Sequence, residues 1–168
     1  IVLLKNENNL LPIKKGQYKK IAVVGPCAND LFMGGYSGEP YEKVSLLQGI
    51  RNKVGNSSEV LFAQGCRITE GLTISQFNWR NEDIVFTPRE VNLKLIDEAV
   101  KVAMQADIII LAVGETEFIC REAWSKAHRG DNMTLDLIGE QQELVEAMVA
   151  TGKPVVVYLT HGRPLSIN

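Results

Sequence analysis

The run Ile108-Ile109-Ile110-Leu111-Ala112-Val113-Gly114-Glu115 is apolar until it stops on a glycine and passes directly into an acid, with Glu117 and Glu122 close behind. A short stretch dominated by Ile and Val, with no polar alternation, reads as a strand buried on both faces, as in a parallel sheet covered by helices. The acids then lie at the carboxyl end of that strand. In open α/β sheets this is the end outside which ligands bind.

Three more runs flank it. Lys20-Ile21-Ala22-Val23-Val24-Gly25-Pro26 is a strand closed by a Gly-Pro breaker, Glu59-Val60-Leu61-Phe62-Ala63 is a second, and Val155-Val156-Val157-Tyr158-Leu159 is a last one, introduced by Pro154. Between them, Ser45 is an N-cap for an amphipathic helix that ends near Gly55. Val91, Leu95, Ile96, Ala99, Val102, Ala103 and Ala106 recur at helical spacing and lead into the strand at 108. A further helix is expected over Ile138 to Ala150, with Leu144, Val145, Met148 and Val149 inward and Gly152 as its stop. Residues 67–88, carrying Asn78, Asn81, Asp83 and Pro88, read as an irregular excursion. The alternation predicts an α/β fold: one three-layer α/β/α sandwich domain over residues 1–168, with a mostly parallel sheet joined by right-handed crossovers.

Composition narrows the function. With 45% hydrophobic and 23% charged residues the chain has the make-up of a globular domain, and at 168 residues it is long enough for a sizeable core. A formal charge of −2 supplies no basic footprint, so neither nucleic acid nor an anionic membrane is expected as a partner. No run approaches the roughly 20 apolar residues of a membrane span. Cys27, Cys66 and Cys120 are odd in number and lack CxxC spacing, and His128 and His161 are the only histidines. No disulfide framework, metal site or His-based triad is therefore expected. The chain opens at Ile1 without an initiator Met, charged n-region or signal segment, and its last strand lies near its end, which reads as a fragment of a longer protein. Secretion or periplasmic residence stays open.

Four groups of residues carry chemical potential. The Gly-rich stretch Asp30 to Pro40 lacks both GxGxxG and GxxxxGK[ST] spacing and suits a rim loop better than a phosphate cradle; its Tyr36 offers either a sugar-facing ring or ordinary packing. Glu115, Glu117 and Glu122 form an acidic cluster of the kind in which burial or a neighbouring carboxylate raises a pKa enough for general acid catalysis, the alternative being solvated loop acids. Asp131 reads as a loop-ordering residue. Arg121, Lys126, His128 and Arg129 either hold the loop shut or bind sugar hydroxyls. After the last strand, His161 and Arg163 of His161-Gly162-Arg163-Pro164 stand where side chains can line a cleft, although Gly and Pro there mainly set a turn.

Taken in order, Val2-Leu3-Leu4-Lys5-Asn6 with Leu11-Pro12-Ile13, Ile21 to Pro26, Val113-Gly114-Glu115 with Glu122-Ala123, and Gly162-Arg163-Pro164 resemble glycoside hydrolase family 3. The likeness is to the α/β sandwich that follows the catalytic barrel in β-glucosidases and related exo-acting enzymes, and it spans nearly the whole chain. It implies a retaining β-glycosidase that hydrolyses terminal non-reducing β-linked sugars of an oligosaccharide or β-glycoside. An Asp on the N-terminal barrel would be the nucleophile, and a Glu of this domain the general acid/base. Glu115 matches a Gly-Glu element of the family and Glu122 a Glu-Ala element; Glu115 carries slightly more weight, because the Arg that commonly follows Glu-Ala four residues on is Lys126 here. Trp124, beside Glu122, is a candidate for packing on a sugar or shielding the acid from water. No cofactor is implied. Phe77, Trp79 and Phe86 either border an aglycone subsite or pack ordinarily. A non-catalytic carbohydrate-binding module or a nucleotide-binding α/β module stays as the alternative, since fold does not determine function.

Overall fold

The computed structural model describes residues 1–31, 40–71, 84–120, 122 and 131–167. Four strands, β1 (Lys20–Val24), β2 (Glu59–Ala63), β3 (Ile108–Gly114) and β4 (Val155–Thr160), form one sheet in the order β2-β1-β3-β4. Every pairing is parallel: Ala22 faces Leu61 on one side and Ile109 on the other, and Leu111 faces Val157. All seven residues of β3 are buried, as a run without polar alternation requires.

The two faces of the pleat separate cleanly. Ala22, Val24, Ile109, Leu111 and Val113 pack with Ile96, Ala99 and Ala103 of α2 (Arg89–Ala103) and with Leu144, Val145 and Met148 of α4 (Gln141–Ala150). The alternate residues Ile21, Val23, Ile108, Ile110 and Ala112 face Leu47 and Val54 of α1 (Leu46–Val54), with Leu10, Ile13 and Tyr18 beside them. This is the expected three-layer α/β/α sandwich. Ser45 caps α1 as read from sequence, its Oγ accepting the Gln48 N–H at 3.1 Å. Because β1 sends its connection toward β2 while β3 sends its own toward β4, the strand order reverses between β1 and β3. That is the topological switch point at which α/β sheets open a crevice.

Two expectations are corrected. The last helix begins at Gln141 rather than Ile138, because Gly139 takes φ +66°, outside the right-handed helical region. Val149 is 58% exposed and not on the inner face: Leu144, Val145 and Met148 fill the stripe, and one residue further the helix has turned toward solvent. The excursion proves partly tethered among its described residues. Thr69 bridges Phe86 in antiparallel fashion, and Ile68 and Ile84 join Phe118 and Ile119 in a small separate cluster with Phe86 alongside.

Burial pushes the Cys27 thiol up to about 12 and that of Cys66 higher still, so both are inert at neutral pH. Two glycines mark the active end of the sheet. Gly25 after β1 has φ +121° and Gly114 ending β3 has φ +148°; a Cβ would fall 2.0 Å from the Ala112 carbonyl oxygen in the first and 1.9 Å from that of Thr160 in the second. Neighbouring backbone occupies the space a side chain would need. Gly114→Ala is expected to cost about 3 kcal/mol or more in urea unfolding, whereas Gly139→Ala, with nothing within 4 Å of its new methyl, should cost about 1–2 kcal/mol for its positive φ alone. Equal losses at the two sites would contradict this reading of the strand end.

Candidate active site

The site begins where β3 stops. Gly114 is held on both sides: the Glu115 N–H donates to the Thr160 carbonyl of β4 at 2.8 Å, and on the β1 side, where β1 has already ended, the Gln141 side chain takes over. Its Oε1 accepts the Gly114 N–H at 2.8 Å, and its Nε2 donates to the Gly114 carbonyl at 2.9 Å and to that of Ile138 at 3.0 Å. Gln141 has 0% exposure.

Glu115 follows immediately. Its side chain has 0% exposure, and Arg163, on the turn after β4, grips it from above: Nε lies 3.0 Å from each carboxylate oxygen and Nη2 also bonds Oε1. The planar guanidinium matches a carboxylate in this two-pronged manner, which makes the pair directional as well as charged. The hydrogen bond that Arg163 donates to Glu115 raises the Arg163 pKa, with burial opposing it, so the guanidinium stays charged throughout the physiological range. Asn132, returning from the far side of the loop, donates to Glu115 Oε1 at 3.5 Å and to the Ile119 carbonyl at 3.1 Å.

Between these acids the chain forms α3 (Glu117–Cys120), a single turn in which Phe118 and Ile119 are buried. The sequence reading gives only a loop here, although the adjacent Phe118 and Ile119 are the signal for an anchored segment. Glu122 emerges just beyond it and is exposed. Glu115 and Glu122 therefore sit in opposite environments, one sealed and paired, the other open to water. Asp131 is exposed on the returning arm, and His161 is exposed on the turn after β4. Tyr36, Phe77, Trp79, Arg121, Trp124, Lys126, His128 and Arg129 lie outside the described residues. Among the described residues no group of three or more His, Cys, Asp or Glu side chains could hold a metal ion, and no helix is long and apolar enough to cross a membrane.

Asn132 and Gln141 are not among the residues singled out by sequence, and Arg163, read there mainly as part of a turn, proves to be the partner of Glu115. Arg163 is 48 positions from Glu115, and only the parallel pairing of β3 with β4 brings their ends together.

An open α/β sheet with a carboxylate-bearing loop at its switch point defines the class of domain. The chain belongs to glycosyl hydrolase family 3: the model of that family's C-terminal domain matches residues 1–168. It is 39% identical over 176 residues to a β-xylosidase of Formosa agariphila, aligning over 100% of this chain and 21% of the relative, and 40% identical over 172 residues to a periplasmic β-glucosidase of Salmonella typhimurium, over 99% and 21% respectively. Among solved structures, a β-glucosidase from Erythrobacter marinus superposes with a TM-score of 0.84 at 41% identity, covering 98% of this chain and 22% of that one. The chain thus spans about one fifth of the length of these relatives.

Removing one member of the buried pair strands the other. Arg163→Met is expected to destabilise the chain by about 3 kcal/mol or more, and the double variant Glu115→Gln with Arg163→Met by clearly less, read from urea unfolding midpoints. A double variant as unstable as the sum of the singles would show that the two side chains do not act as a pair.

Proposed function

We propose that this chain is one α/β sandwich domain of a longer, exo-acting retaining β-glycosidase of β-glucosidase type, and that it supplies the general acid/base through Glu122. The nucleophile is an Asp of an N-terminal barrel in the same parent polypeptide. Terminal, non-reducing β-linked glucosides are the first substrates to test, with β-xylosides second, because the similar relatives include enzymes named for each sugar.

One observation carries the choice between the two glutamates. A proton donor must reach the glycosidic oxygen, and Glu122 is exposed, whereas the Glu115 carboxylate is sealed and gripped by Arg163. A sealed carboxylate gripped on both oxygens by a guanidinium has no face left for a substrate. In the reaction, Glu122 gives its proton to the departing glycosidic oxygen as the barrel Asp attacks the anomeric carbon and forms a glycosyl ester. Glu122, now ionised, removes a proton from water, which displaces the Asp and releases the sugar with its configuration retained. Such a pair must stand about 5–5.5 Å apart across the bond, a spacing that a cleft between two domains can hold. Trp124 would border the acid and Tyr36 the sugar.

In the full-length parent, Glu122→Ala is expected to lower kcat on a poor leaving group by about 10²–10⁴-fold. Added azide should restore turnover of 2,4-dinitrophenyl β-glucoside, with β-glucosyl azide as product. Glu115→Ala should instead lower the melting temperature and yield no azide adduct. The opposite pattern, with the adduct formed by the Glu115 variant, would transfer the acid role to Glu115. The 168-residue chain alone, lacking a nucleophile, should release no nitrophenol from an aryl β-glucoside; release proportional to its concentration would refute the divided centre.

A further inference from the structure

The segment that carries Glu122 leaves β3 at Gly114 and rejoins the sandwich at the start of α4, and a single side chain spans both points. Gln141 is the first residue of α4, yet its amide lies against the end of β3, where it occupies the place that β1 would fill had that strand continued. We infer that Gln141 is a positioning residue for the acid-bearing loop, resting on the reading of Glu122 as the acid: it closes the base of the loop and so sets where the carboxyl group is presented.

The chemistry of the contact supports this over simple core filling. The side chain is fully buried, and three of its hydrogen-bonding positions are taken by backbone: the N–H and carbonyl of Gly114, and the carbonyl of Ile138. An apolar residue would fill the volume without orienting anything. The amide instead holds Gly114 in register from one side while Thr160 holds the next peptide from the other, so residue 115 leaves the strand in one direction. The Ile138 bond ties the returning arm to the same point. Glu115 and Arg163 grip the loop one residue further out, and Gln141 grips it at the strand itself. Freed of the amide, the loop keeps its buried Phe118 and Ile119 but loses its fixed hinge.

The test compares Gln141→Met, similar in volume but unable to donate or accept well, with Gln141→Glu, which keeps one acceptor toward the Gly114 N–H, both in the full-length parent. The readout is kcat/KM, which reports the steps up to departure of the leaving group, on a substrate whose departure needs a proton, such as an alkyl β-glucoside, against kcat/KM on 2,4-dinitrophenyl β-glucoside, which leaves without one. Displacing a donor by a fraction of an ångström should lower the first rate about ten- to a hundredfold. The second should hold within about twofold, and Gln141→Glu should fall between Gln141→Met and wild type. Equal loss on both substrates, or no loss on either, would overturn the inference. Should Gln141→Met fail to fold, Gln141→Glu alone decides by the same ratio of rates. Glu122→Ala is run in parallel: if it shows no dependence on the leaving group, the assignment of the acid has failed, whereas if it does and the Gln141 variants do not, only the positioning role has.

Discussion

The ion pair between Glu115 and Arg163 is the contact on which the working end of this domain depends. A carboxylate removed from water costs several kcal/mol, and only a well-aligned partner offsets that. Here the partner is a guanidinium aligned along both oxygens, so the charge is tolerated where the sheet ends and the loop begins. A leucine there would be no less stable in principle, but it would not fasten the β3 end to the turn after β4 in one orientation. The pair secures the root of the loop, from which the exposed Glu122 emerges.

The sheet supplies the rigid floor. Its two central strands bury alternate residues against α2 and α4 on one face and α1 on the other, so that both carry side chains too tightly packed to shift. At the carboxyl ends the packing changes in kind: glycines replace side chains so that the neighbouring backbone can close in, and Gln141 provides the hydrogen bonds that a longer β1 would have made. At the opposite edge the Asp107 carboxylate accepts the N–H groups of both Lys19 and Lys20 at 2.8 Å, fixing the entry of β1 beside β3. Regular structure is thus pinned at both ends by side chains that reach across the connections.

Much of this could be read before any coordinates. The four strands were legible because Ile and Val runs bounded by Gly and Pro admit few other readings, and α1 because Ser45 stood where a cap was needed. The start of α4 was misread because a hydrophobic run gives no warning that Gly139 adopts a positive φ, and Val149 because an apolar residue at the margin of a helical stripe can turn either way. In the candidate site the acids were found and their environments were not. The partner that holds the buried Glu115 lies 48 positions away, and that relation leaves no local pattern. Fold is written in periodicity; a site is written in contacts between distant segments.

In the proposed function, two glutamates on one loop divide the work through their surroundings, one as an anchor and the other as a proton carrier, with a second domain completing the chemistry. The most direct measurement is a crystal structure of the full-length parent trapped as its glycosyl-enzyme with a 2-deoxy-2-fluoro β-glucoside. The account predicts the Glu122 carboxyl within about 5–5.5 Å of the esterified Asp, with Glu115 still held by Arg163. A structure in which Glu115 has left Arg163 and faces the sugar, with Glu122 turned to solvent, would contradict it.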